Sequence, residues 1–146
     1  MLFVLVPVII GALASALQPK RGGLEDLGPR APVQSGARTE AERSAARSRA
    51  IAAVARAEAE PSALVAATIW EEAGNLYLRA EGGGGESGNA DAGNAAICFY
   101  NAAAKLIEGG GDISKARNLL FDAKFLSRSD PGLQQAIDHL LERAGG

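Results

Sequence analysis

The chain contains one cysteine and one histidine, the residue types used most often as a reactive thiol and as a general base or metal ligand. Cys98 lies in the apolar stretch AICFYNAAA, and His139 lies near the C-terminus, beside Glu142. A catalytic cysteine needs a nearby base and a lowered thiol pKa, whereas a cysteine among apolar neighbours behaves as a small hydrophobic residue. One cysteine and one histidine exclude an intrachain disulfide and a Cys/His zinc site. We therefore predict a buried, structural Cys98 and a solvent-exposed His139.

Other patterns that could support catalysis are incomplete. Glu71 and Glu72 are adjacent, so on a helix their side chains diverge by about 100° and do not form a carboxylate pair. The glycine runs GGGGESG and GGGD lack the lysine followed by serine or threonine that a phosphate-binding loop requires. No acid, base, nucleophile and metal ligand combine into one site. The sequence predicts a non-enzymatic protein without a cofactor, a bound metal or a small-molecule substrate.

Charge is distributed unevenly along the 146-residue chain, whose net charge is −2. Residues 1–56 carry eight basic and four acidic groups, whereas residues 57–146 carry seven basic and thirteen acidic groups. The acidic part suits a basic segment of a partner protein. The first part includes four arginines on a helical stretch with few aromatic residues: Arg43, Arg47, Arg49 and Arg56. We interpret them as a surface for lipid headgroups or an acidic protein patch, and we predict no nucleic-acid binding.

The N-terminal segment MLFVLVPVIIGALASALQ, residues 1–18, contains no charged side chain, and Lys20 and Arg21 lie just beyond it. As a helix it would be about 27 Å long, close to the ~30 Å hydrocarbon core of a bilayer. Basic residues after an apolar run favour the cytoplasmic side for that flank. We predict a retained transmembrane anchor flanked by Lys20 and Arg21, with the N-terminus outside and the C-terminal domain in the cytoplasm.

Two alternatives for residues 1–18 remain open. Ala14-Ser15-Ala16 fits the small-residue site at which a signal peptide is cleaved, although no charged side chain precedes the apolar run, as is usual in such peptides. Cleavage would make the protein an exported, soluble helical adaptor of the periplasm or the extracellular space. The segment could also be a buried core helix. Sequencing the N-terminus of the mature protein distinguishes the anchor from the signal peptide.

Residues 19–38 hold three prolines and four glycines and show no sustained hydrophobic periodicity. Such a composition cannot build a core of its own and is typical of an extended chain with partial polyproline II character. We predict an extended linker between the anchor and the rest of the chain.

An alanine-rich, basic helix is predicted for residues 39–60. Thr39 followed by Glu42 is the pattern of a capping box, in which each residue bonds the backbone of the other. The apolar face of this helix is made mostly of alanine, with Ile51 and Val54 as its larger members. Such a face permits close packing against a neighbour but buries little surface by itself.

Residues 61–146 show apolar residues at three- and four-residue steps, interrupted by the two glycine runs and by Asp130-Pro131. The pattern predicts four further helices, so that the chain has five in all. The second helix of the chain begins with Pro61 in its first position, and the third runs from about residue 89 to residue 108. No strand pattern is present, so we predict an all-α protein whose consecutive helices pack antiparallel. The predicted core consists of Ile69, Trp70, Ala73, Tyr77, Phe99, Leu106, Leu120, Ala123 and Ile137.

Small and bulky apolar residues alternate at fixed spacings in two overlapping stretches. The first comprises Trp70, Ala73, Gly74 and Tyr77, then Ala95, Phe99 and Ala102. The second comprises Tyr100, Ala103, Ala104 and Ile107, then Ala116, Leu120, Ala123 and Pro131. Both resemble the tetratricopeptide repeat, whose pattern is W-x₂-L-G-x₂-Y, then A-x₃-F-x₂-A, then P. The resemblance covers roughly residues 61–144 and implies an array of helical hairpins, and an unrelated antiparallel helical bundle is the alternative.

The resemblance to tetratricopeptide repeats implies protein–protein interaction through a concave groove lined by the first helix of each hairpin. The matching partner-binding positions are Glu71 and Asn75 on the second helix and Asn101 and Lys105 on the third. Members of the family that bind a terminal carboxylate use clustered lysines and asparagines, and Glu71 stands where a lysine is wanted. We therefore predict a single-pass membrane protein whose helical domain binds protein partners, as an accessory or assembly subunit of a larger membrane complex.

Overall fold

The computed structural model of the protein describes residues 38–81 and 86–145, including all side chains except those of residues 86–89. Five helices follow one another in these residues: α1 (Glu40–Ala59), α2 (Ala63–Ala80), α3 (Glu86–Glu108), α4 (Ile113–Leu126) and α5 (Pro131–Gly145). The described residues contain no strand, which confirms the all-α class. The helices belong to one compact unit, Gln34–Gly146. The predicted anchor, its flank Lys20 and Arg21, and the linker up to residue 37 lie outside the described residues.

Polar residues just before α1, α2 and α4 cap these helices and fix the residue at which each helix begins. In the predicted capping box, the Glu42 backbone N–H donates to Thr39 Oγ1 at 3.2 Å, and the Thr39 N–H donates to Glu42 Oε2 at 2.8 Å. Ser62 caps α2, because its hydroxyl accepts a bond from the Val65 N–H. The prediction that Pro61 occupies the first position of this helix is therefore wrong, since the serine hydroxyl after it supplies the cap. Asp112 caps α4 in the same way.

The connection between α3 and α4 is a tight glycine turn. Gly110 has a φ of 65°, the left-handed conformation that glycine adopts without steric cost. The Gly111 N–H donates to the Leu106 carbonyl at 2.7 Å, and the Gly110 N–H donates to the Ile107 carbonyl at 3.3 Å. These two bonds form a Schellman motif, which satisfies carbonyls that the end of α3 leaves free.

Consecutive helices pack against each other, and α3 also contacts α5. The helices α2 and α3 run antiparallel, because Leu64 near the start of α2 lies against Gly109 after the end of α3. Further along this pair, a Cβ placed on Gly74 would lie 2.6 Å from Phe99 Cε1. Glycine is therefore required at position 74 for the Phe99 ring to lie directly on the α2 backbone.

The core lies between α2, α3 and α4, with α1 and α5 packed onto its sides. Of the predicted core, the side chains of Trp70, Ala73, Tyr77, Phe99, Leu120, Ala123 and Ile137 are buried. Ile69 and Leu106 are partly buried and pack against the same cluster. The periodicity thus located the core, since residues three and four apart on a helix share one face.

The buried residues of α1 are all alanine: Ala46, Ala50, Ala53 and Ala57. Val54, predicted for the apolar face of this helix, is partly buried and packs against the core. Ile51 was predicted to lie on this face, but it is 48% exposed, because it lies about 100° round the helix from Ala50. Leu64 and Ile113, at the first turns of α2 and α4, also fit the apolar pattern yet are exposed. The small alanine side chains let α1 approach α2 closely.

Candidate functional site

Two of the predicted partner-binding residues lie one turn apart on the outer side of α2. Glu71 Oε2 pairs with Lys115 Nζ of α4 at 2.6 Å. Asn75 is exposed, and its side-chain Nδ2 donates to the Glu71 backbone carbonyl at 3.0 Å. The carboxylate of Glu71 thus ties α2 to α4, and Asn75 keeps its amide oxygen available to solvent.

The other two predicted residues lie one turn apart on α3. Lys105 Nζ pairs with Glu108 Oε2 at 2.7 Å, and Asn101 is partly buried. Asn101 lies about 200° round α3 from Phe99, the residue that contacts α2. Among the described residues, no hydrogen bond or ion pair joins this pair to the residues on α2. The structure therefore brings the four residues together as two separate pairs, and their role in binding stays a prediction.

A cleft of about 530 Å³ runs between α1 and α2 on the surface of the domain. Its lining, which we call the basic cleft, comprises Arg49, Ala52, Arg56, Glu72, Asn75, Leu76 and Arg79. Three arginines face a single carboxylate there, so the lining carries a net positive charge although the residues from 57 onward are acidic. Of the residues predicted to bind a partner, Asn75 belongs to this cleft.

Two of the three guanidinium groups in the basic cleft have no ion-pair partner among the described residues. Arg56 Nη2 lies 3.1 Å from Glu72 Oε2, and both side chains are more than half exposed. Pairs of this kind contribute little to stability, because water competes with them on both sides. The side chains of Arg49 and Arg79 form no ion pair with any described residue. The interpretation of α1 as a surface for acidic groups therefore applies best to Arg49.

The outer side of α4 exposes two aromatic rings. Phe121 is 54% exposed and Phe125 is 62% exposed, and they lie four residues apart, so their rings share one face of the helix. The Arg128 guanidinium carbon lies 4.0 Å from the centroid of the Phe125 ring, a cation–π contact. We call Phe121 and Phe125 the outer phenylalanine pair. This pair was not predicted from the sequence. The available signal was that both phenylalanines lie outside the stripe of α4 formed by its buried apolar residues.

A second feature that the sequence analysis missed is an ion pair between α1 and α3. Arg47 Nη2 donates to Asp91 Oδ2 at 2.6 Å and Arg47 Nε donates to Asp91 Oδ1 at 3.0 Å, a bidentate arrangement. Asp91 is 2% exposed. The hydrogen bonds to Asp91 raise the pKa of Arg47, with the neighbouring charge adding to the effect. Asp91 lies four residues before the buried Ala95, so the two residues share one face of α3. A carboxylate on a buried face needs a cation beside it, and this was the available signal in the sequence.

The two residues considered for chemistry lie where the sequence predicts. Cys98 is buried, and burial raises the pKa of its thiol to about 12, which disfavours the nucleophilic thiolate. Burial also raises the pKa of Tyr77, and the nearby Cys98 and Asp91 add to that effect. His139 is exposed on α5. The Cys98 position is thus structural and unsuited to nucleophilic attack.

The described part of the chain offers neither a membrane span nor a metal site. None of its helices combines the length and the apolar character needed to cross a membrane. Within the same residues, no group of three or more histidine, cysteine, aspartate and glutamate side chains could hold a metal ion. The surfaces that remain as candidates for binding are the basic cleft and the outer phenylalanine pair.

Comparison with known proteins gave no match to any family model, to any curated protein or to any solved structure.

Proposed function

We propose that this protein is a non-enzymatic, single-pass membrane protein whose helical domain binds other proteins, as an accessory or assembly subunit of a larger membrane complex. The observation that carries the proposal is the outer phenylalanine pair, two large aromatic side chains more than half exposed on one face of α4. Aromatic residues are enriched in protein interfaces and depleted from surfaces that face only water. A partner that covers α4 removes both rings from water.

The cost of leaving these rings exposed supports a binding role. Burying apolar surface gains about 25 cal/mol per Å², so exposed phenylalanines forgo stability that an inward position would give. The Arg128 guanidinium over Phe125 adds a polar group at the edge of the pair. An apolar centre with a charged rim is the usual anatomy of an interface patch.

A tetratricopeptide-like arrangement of the domain is part of the proposal. All positions of the first repeat-like stretch are buried: Trp70, Ala73, Gly74, Tyr77, Ala95, Phe99 and Ala102. Gly74 gives Phe99 direct access to the α2 backbone, which is the role of a small residue at the glycine position of such a repeat. Repeats of this kind act as protein-binding scaffolds, which agrees with the proposed function.

The membrane location rests on the sequence of residues 1–21. An uncharged run of 18 residues followed by Lys20 and Arg21 is consistent with a span whose basic flank is cytoplasmic. The proline- and glycine-rich linker, residues 19–38, would reach roughly 60 Å if extended as polyproline II. One chain would then hold a membrane partner and a second partner together, and the linkage would raise the overall affinity.

The experiment is gentle detergent extraction of the full-length protein from its native membrane, followed by measurement of the size and composition of the purified complex. We expect a stoichiometric complex with the unchanged chain. The double variant Phe121→Gln/Phe125→Gln should lose the partner, because glutamine keeps the helix but removes the aromatic surface. The matched control is Ile51→Gln/Val65→Gln, which replaces two apolar residues, each 48% exposed, on α1 and α2.

Removal of residues 1–18 should leave the protein outside the membrane fraction and weaken its association with the complex. Recovery of the full-length protein as a free monomer would contradict the proposed function. Equal loss of the partner in the control variant would show that general surface hydrophobicity, and not the outer phenylalanine pair, drives the association. A mature N-terminus after Ala16 would contradict the retained anchor.

A further inference from the structure

We propose that the basic cleft binds an acidic peptide segment of a partner protein, with two carboxylates about 10 Å apart and an apolar side chain between them. This inference deepens the proposed function and rests on the domain being a protein-binding module. It concerns α1 and α2, whereas the outer phenylalanine pair lies on α4, so the two surfaces can be altered independently.

The charge of the basic cleft points to an anionic ligand. Arg49 and Arg79 have no ion-pair partner among the described residues, and both side chains are exposed. Arg49 lies seven residues before Arg56, and Arg79 lies seven residues after Glu72, the partner of Arg56. Because α1 and α2 are consecutive, antiparallel helices, Arg49 and Arg79 lie at the same end of the cleft that they both line. A guanidinium presents several N–H donors in a fixed plane that matches a carboxylate. One carboxylate can therefore bind between the two free arginines.

A second carboxylate would bind at the other end of the cleft. Arg56 lies seven residues after Arg49 on α1, a separation of about 10 Å along the helix axis. Its present partner, Glu72, is half exposed and can release it to a ligand at little cost. In an extended peptide, glutamates four positions apart share one face with the residue midway between them, and their Cα atoms are about 13 Å apart. The flexible glutamate and arginine side chains can close the small difference from the spacing of Arg49 and Arg56.

The floor of the cleft explains why a peptide fits it better than a membrane surface. Ala52 and Leu76 lie between the arginines and are apolar, so they suit a side chain inserted from above. The Asn75 amide is placed to bond a peptide backbone group beside them. The volume of about 530 Å³ is in the range of sites that enclose a small ligand or a few side chains. A lipid headgroup could neutralise the arginines but would leave the apolar floor uncovered.

The experiment uses the full-length protein in neutral detergent and a fluorescent peptide of about twelve residues, with glutamates four positions apart and leucine midway between them. Fluorescence anisotropy gives the Kd. A second peptide with glutamine in place of both glutamates tests the charge. We expect the glutamate peptide to bind with a Kd that rises with salt, and the glutamine peptide to bind at least about tenfold more weakly.

The variant Arg49→Gln/Arg79→Gln removes the two free guanidinium groups at exposed helical positions, where glutamine preserves the fold. It should weaken binding of the glutamate peptide by about tenfold or more. The matched control, Arg117→Gln/Arg143→Gln, removes the same two charges from exposed positions on α4 and α5. The control should change the Kd less than about twofold. Circular dichroism of both variants confirms that the helices are intact.

Three results would overturn the inference. Equal weakening by the cleft variant and its control would show that only net charge matters. No binding of the glutamate peptide to the unchanged protein would exclude an acidic peptide site of this spacing. Displacement of the peptide by short-chain phosphatidylserine at a lower concentration than by unlabelled peptide would identify a lipid headgroup site. None of these results affects partner loss in the outer phenylalanine variant, so failure of this inference is distinguishable from failure of the proposed function.

Discussion

The aromatic core, formed by Trp70, Tyr77 and Phe99, and the outer phenylalanine pair use similar residues in opposite settings. The three core side chains are almost completely buried, whereas both rings of the outer pair are more than half exposed. All five residues lie on helices and fit helical spacing, so residue type alone does not separate them. Their positions on the helices do, because the three core rings lie on sides covered by neighbouring helices, whereas the outer pair lies on a side of α4 that neither α3 nor α5 covers.

This contrast separates what holds the fold together from what is available to a partner. A buried ring contributes to stability through the water it excludes and through its contacts with the side chains around it. An exposed ring contributes little until a second molecule covers it. Changes to the aromatic core should therefore lower the free energy of unfolding, and changes to the outer pair should alter binding with little effect on stability.

The largest effect should come from Trp70→Ala. Removing this buried indole leaves a cavity and should lower the free energy of unfolding by about 3–5 kcal/mol. Urea unfolding of a fragment spanning residues 34–146, the compact unit, measures the change. Unfolding at the same urea concentration as the unchanged fragment would show that Trp70 does not belong to the core.

Arg47→Met should lower the free energy of unfolding by about 2–3 kcal/mol. This is less than the loss on breaking a completely buried ion pair, because the Arg47 side chain is 30% exposed. The cause is the Asp91 carboxylate, which stays buried without its cation. The double variant Arg47→Met/Asp91→Leu removes both charges and should recover most of the stability. If the double variant is no more stable than Arg47→Met, the loss does not come from the unpaired Asp91 carboxylate.

Gly74→Ala tests how closely the aromatic core approaches the α2 backbone. The added Cβ would meet Phe99 at 2.6 Å, so the ring must move, which should cost about 1–3 kcal/mol despite the better helix propensity of alanine. Combining it with Phe99→Leu should reveal coupling, because the smaller side chain relieves the clash. Strictly additive losses in urea unfolding would argue against the contact.

Local sequence patterns were sufficient to predict the helices and most of the core. The capping box at Thr39 depends on short-range bonds, so residue type and spacing identify it. Ile51 and Pro61 were placed wrongly for a different reason. The first depends on how closely α1 approaches α2, and the second on a choice between two adjacent residues that can both begin a helix.

The candidate site was less accessible to sequence reasoning because its parts come from different helices. Arg47 and Asp91 are 44 residues apart, and the basic cleft joins arginines of α1 to Arg79 of α2. Which arginines are paired and which are free follows only from tertiary packing. The separation of the predicted groove residues into two pairs has the same origin, since it depends on which side of α3 faces α2.

The buried thiol near the aromatic core should make stability depend on alkaline pH. Burial raises the pKa of Cys98 to about 12, against roughly 8.5 for a free cysteine, so the unfolded chain loses this proton first. The contribution of the Cys98 thiol to the free energy of unfolding is complete below the thiol pKa of the unfolded chain, and it declines as the pH rises toward the thiol pKa of the folded protein. The raised pKa of Tyr77 acts in the same direction at higher pH. Between pH 8 and pH 10 we expect the free energy of unfolding of the fragment to fall by about 2 kcal/mol. Cys98→Ala should flatten this dependence, and an unchanged slope would exclude Cys98 as its source.

The smallest stability effect is expected at the outer phenylalanine pair. Phe121→Gln should change the free energy of unfolding by less than about 0.5 kcal/mol, because the ring is already largely in water and glutamine is a good helix former. Phe125→Gln should cost slightly more, up to about 1 kcal/mol, since it also removes the cation–π contact with Arg128. Urea unfolding of each single variant, measured beside Trp70→Ala in the same buffer, gives the comparison directly.

A loss of several kcal/mol at either position would place that ring in the core and remove the observation on which the binding role of α4 depends. Near-neutral stability together with loss of the partner would instead assign these two side chains to binding, because a residue that contributes nothing to folding and yet retains the partner must act in the interface.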